Sequence, residues 1–142
     1  MTDFVYLEGC PMGRRVITFG TFDVFHIGHV NILERAKEEG DYLIVGVSSD
    51  ALNFSKKSRY PVYNQEQRMK IVRSLRFVDE VFVEESLEKK PEYIQYFNAD
   101  VLVMGDDWAG KFDAMKEYCD VVYLPRTPSI STTEIIEVVK NL

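Results

Sequence analysis

Histidine is scarce in this chain: two residues in 142, His26 and His29, and both fall in one short turn. Cysteine is equally scarce. Cys10 and Cys119 stand far apart and flank no metal-ligand spacing, which excludes a structural zinc site and reads as two reduced thiols. No apolar run approaches the roughly 20 residues that span a bilayer, and the first residues lack the basic-then-apolar order of a signal peptide. The expectation is a cytoplasmic protein with no membrane partner. No G-x-G-x-x-G follows a strand pattern, and G-x-x-x-x-G-K-[ST] and G-x-S-x-G are missing too. Dinucleotide oxidoreductases, P-loop enzymes and elbow-type hydrolases therefore fall away. A formal net charge of −6 argues against a nucleic-acid partner.

What is present is a globular composition, 46% hydrophobic and 28% charged, in a length that suits one domain. We expect that domain at 14–142, with 1–13 as an N-terminal arm or an upstream start before Met12. Strand patterns recur at Arg14–Phe19, Asp41–Val47, Glu80–Val83, Val101–Met104 and Val121–Leu124. Helical patterns lie between them: His29–Glu39, Asn64 to about Leu75, Pro91–Asn98, about Lys111–Tyr118, and a last helix opened by the capping-box sequence Ser131-Thr132-Thr133-Glu134. A polar loop of about fifteen residues is expected over Ser48–Tyr63, a length that usually marks a functional lid. The alternation predicts an α/β fold: a Rossmann-like, doubly wound, parallel five-stranded sheet with helices on both faces.

In such a sheet ligands sit outside the C-terminal strand ends. Four marked segments follow strands here: the His26–His29 turn, the loop with Lys56, Lys57 and Arg59, Gly105–Gly110, and Arg126–Ser131. Between Phe54 and Phe77 seven residues are basic and one, Glu66, is acidic. In an acidic protein that points to a small anionic ligand. Strand-to-helix turns, histidines and an arginine on one rim suit nucleotidyl transfer. There charge builds on α-phosphate oxygens and the acceptor phosphate is its own nucleophile.

His26-Ile27-Gly28-His29 resembles the H-x-G-H signature of the nucleotidyltransferase superfamily, and Arg126–Thr133 (RTPSISTT) resembles the cytidylyltransferase signature R-T-x-G-I-S-T-[TS]. With GTFD at 20–23, LERAK at 33–37, VDEV at 78–81, VMGDDW at 103–108 and GKFD at 110–113, the sequence is similar to glycerol-3-phosphate cytidylyltransferases from Val16 almost to its end. The resemblance implies transfer of CMP from CTP to a small phosphorylated alcohol, with Mg²⁺ accompanying the nucleotide and no residue assigned as a metal ligand. It implies a homodimer and a product feeding teichoic-acid-like or capsular polymers.

By the same resemblance His26, His29, Arg126 and Lys56 are the catalytic candidates. CTP would be bound by Thr21, Phe22, the His26-Ile27-Gly28-His29 turn, Arg59, Asp107, Trp108, Arg126, Thr127, Ile130, Ser131, Thr132 and Thr133. The acceptor would be bound by Lys56, Lys57, Arg68, Arg76 and Lys90. Two departures stand out: Pro128-Ser129 replaces the usual Glu-Gly, and Leu87 stands where glycerol-phosphate enzymes can carry Trp. The alternatives are a different phospho-alcohol, amino-alcohol phosphate or sugar phosphate as acceptor, an FMN-type adenylyltransferase, and a non-catalytic nucleotide-binding module.

Overall fold

The computed structural model describes residues 13–128 and 130–142. Residues 1–12 of the arm expected at 1–13, Cys10 among them, and Ser129 lie outside the described residues.

Five strands form one all-parallel sheet: β1 (Arg15–Gly20), β2 (Tyr42–Ser48), β3 (Glu80–Glu84), β4 (Val101–Gly105) and β5 (Asp120–Leu124), in the order β3-β2-β1-β4-β5. Strand order reverses at β1, and there the C-terminal ends of β1 and β4 part to open a crevice. The strands are apolar on both faces because both are covered. Val16, Val45, Val101 and Val103 pack on one face with Leu33 and Ala36 of α1 (Ile27–Glu38) and Val72 of α3 (Gln65–Arg73). Ile17, Phe19, Ile44 and Leu102 pack on the other with Ile94 of α4 (Lys90–Tyr96). The remaining helices are α2 (Asp50–Lys57) and α5 (Thr132–Lys140).

Two elements differ from the sequence expectation. The long polar loop after β2 is mostly helix α2. The Ser49 side chain accepts the Leu52 N–H at its start, and Ser58 closes it in the left-handed region at φ 57°. Its polarity hides a short amphipathic pattern whose one buried residue is Asn53. The true loop is thus 58–64. The helix expected near 111–118 is a 3-10 turn, Asp113–Glu117. Among the described residues no helix is long and apolar enough to cross a membrane, and Cys119 is a half-buried thiol whose pKa burial pushes up.

Gly46 sits in β2 where a side chain would not fit. A Cβ there would lie 2.6 Å from the Phe19 ring and 2.7 Å from the Phe82 ring. Those rings meet edge to face at 5.8 Å. Overpacking of this kind costs about 1–3 kcal/mol. Gly46→Ala is therefore expected to lower the unfolding free energy by that amount in urea titrations, with little change in the m-value.

Candidate active site

The cleft is organised by the loop between β1 and α1. Phe22 (φ 55°) and Val24 (φ 46°) both adopt left-handed backbone, a conformation that costs a non-glycine residue about 1–3 kcal/mol. Three contacts hold them there. The buried Phe22 ring folds onto Gly20, where a Cβ would sit 2.7 Å from it. The buried Asp23 carboxylate accepts the Val62 and Tyr63 N–H groups at 2.7 and 2.9 Å. The Thr132 hydroxyl donates to the Asp23 carbonyl at 3.0 Å, tying the start of α5 to this loop.

His26 then caps α1 from extended backbone, and the two histidines cap each other. The Gly28 N–H donates to His26 Nδ1 at 3.0 Å, and the His26 N–H donates to His29 Nδ1 at 3.1 Å. This geometry assigns the tautomer. Each Nδ1 accepts, so each neutral ring carries its proton on Nε2. The Thr132 hydroxyl proton is spent on Asp23, so His26 Nε2 acts as donor toward Thr132 Oγ1 at 3.4 Å. The rings stack at 3.8 Å. Burial lowers the His29 pKa to about 4, helped by His26, and lowers that of His26, helped by the Arg126 charge. Both histidines are neutral N–H donors at neutral pH.

These groups form one wall of a cleft of about 660 Å³ at the C-terminal strand ends. The same cleft is lined by Thr21, Phe22, Gly28, Arg126, Thr127 and Ile130, and by the first turn of α5 through Ser131, Thr132 and Thr133. Neutral donors, one guanidinium and a helix start facing one space make an anion site. Ser131 caps the Glu134 N–H, and Asn31 of α1 donates to Thr127 Oγ1, fixing the Arg126-Thr127 segment against α1.

The lining also carries Lys56, Lys57, Arg59 and Lys90. Partial desolvation lowers the Lys56 pKa, with Glu84 opposing and Lys57 and Lys90 adding to the effect. Lys90 is buried, bonded to Glu84 at 2.5 Å and set over the Phe19 and Phe112 rings at 4.5 and 5.1 Å. Beyond β4, Asp107 and Trp108 line the floor. The Asp107 carboxylate folds back over Gly105, where a Cβ would meet it at 2.7 Å, and Trp108 lies beside Phe112 at 5.4 Å.

Three expected site residues are placed elsewhere. Arg68 is fully buried. It donates to the Tyr63, Thr21 and Ser48 carbonyls and pairs with Asp50 at 2.7 Å, so it braces the loops behind the cleft and does not line it. Its place on a basic helix gave no sign that the side chain turns inward. Arg76 is exposed just after α3 and away from the cleft, and Ile27 is 57% exposed and outside the lining. Conversely, Asp23, Ser48, Asn53 and Glu84 line the cleft without having been assigned a role. Asp23 lies in the GTFD motif, whose spacing does not show what its carboxylate holds. Asn53, which accepts the Thr21 hydroxyl at 2.9 Å, lay in the presumed loop.

Because the folded His29 pKa lies below the unfolded value of 6.5, the unfolded chain binds its proton first. Stability therefore falls as pH drops from about 6.5 to about 4, and this contribution levels off below that. It amounts to about 3 kcal/mol at most, by the usual conversion of pKa into free energy. His29→Asn keeps an acceptor for the His26 N–H and removes the titration. Its unfolding free energy, followed by denaturant titration across this window, is expected to fall less steeply than that of the parent.

The cytidylyltransferase-like family profile matches residues 17–138. Glycerol-3-phosphate cytidylyltransferase of Bacillus subtilis strain 168 is 50% identical over 129 residues, covering 91% of this chain and 99% of the relative. The enzyme of the same name from Staphylococcus aureus strain NCTC 8325 is 48% identical over 122 residues, covering 86% and 92%. The lipopolysaccharide core biosynthesis protein of Thermoplasma volcanium superposes with a TM-score of 0.70 at 22% identity, over 82% of this chain and 99% of that one, a likeness of fold. With the H-x-G-H turn, Arg126 and the α5 cap facing one cleft, the chain belongs to the cytidylyltransferase-like family.

Proposed function

We propose that this chain transfers CMP from MgCTP to glycerol 3-phosphate, giving CDP-glycerol and pyrophosphate. The observation that carries the reaction class is the pair of Nε2–H donors fixed by mutual capping on the same wall as Arg126 and the start of α5. Near-full-length similarity to two enzymes named for glycerol 3-phosphate supports the acceptor.

An acceptor phosphate oxygen attacks the α-phosphorus. A new P–O bond forms, the bond to the α–β bridging oxygen breaks, and pyrophosphate leaves opposite the nucleophile. Negative charge grows on the α-phosphate oxygens and the bridging oxygen. His26 and His29 Nε2–H groups stabilise the former without giving up a proton. Arg126 and the Ser131–Thr133 turn hold the β- and γ-phosphates. Lys56, Lys57 and Lys90 bring the acceptor dianion against a substrate of like charge, so their contribution is positioning. Asp107 and Trp108 meet the nucleoside.

Mg²⁺ would arrive as part of the substrate, MgCTP. Two carboxylates that line the cleft already have partners. Asp23 has both oxygens on backbone N–H groups and Glu84 is paired with Lys90. Among the described residues no cluster of three or more His, Cys, Asp or Glu is placed to hold a metal. The same family likeness supports a cytoplasmic homodimer whose product enters a teichoic-acid-like or capsular polymer.

Pyrophosphate release with MgCTP and glycerol 3-phosphate tests the assignment. Release with MgATP instead would move the chain to adenylyl transfer, and no release with any pair would leave a binding module. His26→Asn separates chemistry from folding, because asparagine is among the best N-cap residues and keeps the cap while the Nε2–H is lost together with the ring stacked on His29. Its kcat is expected to fall about 100-fold or more with an unchanged circular dichroism spectrum. A near-normal kcat would remove His26 from the mechanism.

A further inference from the structure

Glu84 closes β3 at the cleft and is 2% exposed. One of its carboxylate oxygens holds the buried Lys90 ammonium. Among the described residues, no N–H or O–H donor reaches the other oxygen. A carboxylate can accept about four hydrogen bonds, and buried acceptors are rarely left short of partners. Its location adds to the puzzle. A carboxylate in a cleft for two anionic substrates repels both, and burying an ion pair is not in itself a source of stability. Such a group is favourable there if a substrate donor meets it.

We propose that Glu84 is a specificity-determining residue that accepts a hydrogen bond from a hydroxyl of the acceptor alcohol, selecting polyol phosphates; this rests on the acceptor assignment above. The donor is a neutral hydroxyl and not an ammonium for an electrostatic reason. Lys90 already matches the Glu84 charge, and Lys56 and Lys57 line the same side, so a further cation would face three ammonium groups. Phe19 and Phe112 flank the Lys90 ammonium and offer a substrate hydroxyl no acceptor, while among the described residues the Glu84 carboxylate has Lys90 as its one side-chain hydrogen-bond partner. The acceptor phosphate then takes Lys56 and Lys90 while its carbon chain lies toward Glu84.

The test compares kcat/KM of the parent enzyme for glycerol 3-phosphate, 3-hydroxypropyl phosphate, n-propyl phosphate and ethanolamine phosphate at saturating MgCTP. Loss of both hydroxyls is expected to cost tenfold or more, because a site built to pair a hydroxyl rejects the analogue lacking it. Ethanolamine phosphate should fare no better than n-propyl phosphate. Glu84→Gln should pull the ratio of glycerol 3-phosphate to n-propyl phosphate toward one while leaving the KM for CTP in place. Glu84→Asp, which withdraws the oxygen by one methylene, should act in the same direction if the amide does not fold.

Equal use of all acceptors by the parent enzyme, preference for ethanolamine phosphate, or an equal loss on both acceptors in the variants would overturn the proposal. Absence of turnover with glycerol 3-phosphate would instead overturn the acceptor assignment.

Discussion

The Asp23 carboxylate and carbonyl hold the cleft together. The carboxylate fastens the segment before α3 by two backbone N–H groups, and the carbonyl fastens α5 through Thr132. Between these anchors the backbone passes twice through left-handed geometry at Phe22 and Val24. Only a surround that over-determines the loop keeps non-glycine residues there. The strain has a use. It turns the chain sharply enough that His26 reaches extended geometry at the head of α1 and can cap it with its own ring. Arg68, buried behind the loop and bonded to the Thr21 and Ser48 carbonyls, closes the same frame from the other side.

In the proposed reaction two kinds of group share the cleft. Those for the nucleotide phosphates would be mainly dipoles: two imidazole N–H groups held in one tautomer, a helix start and a single guanidinium. The lysines, one of them the buried Lys90, would draw in the second anion with full charges. Preorganised dipoles cost little reorganisation during reaction, whereas exposed lysines such as Lys57 suit capture. Buried Glu84–Lys90 lies between these regimes, its charges matched and its position fixed by Phe19 and Phe112.

The sheet and four of the α-helices, α1, α3, α4 and α5, were legible because parallel strands covered on both faces read as continuous apolar runs between helical patterns. The H-x-G-H turn and the Arg126–Thr133 segment were legible because their spacing is itself the geometry. Helix α2 was not. Its eight residues carry one buried side chain, Asn53, so no hydrophobic period announces it and its ends are set by serine caps. Arg68 misled for a related reason. A basic residue on a basic helix reads as surface, and its burial is offset by the Thr21 and Ser48 carbonyls from two distant segments, the nearby Tyr63 carbonyl and the Asp50 carboxylate. Asp23, Asn53 and Glu84 act through partners 32 to 40 residues away or through a buried lysine, relations that local pattern does not carry.

The mutual capping of His26 and His29 also bears on how quickly the enzyme can clear itself. A phosphate wall made of imidazolium groups would bind the departing pyrophosphate as strongly as the charge it had just stabilised. Neutral rings favour the concentrated charge of the transition state by direction and distance, and they relax their hold once that charge spreads over a free, hydrated product. Arg126 would then be the main ionic tether among these groups, and it is exposed to solvent that can replace it. In the proposed reaction the tautomer lock that arms the site would thus also loosen its hold on the departing product.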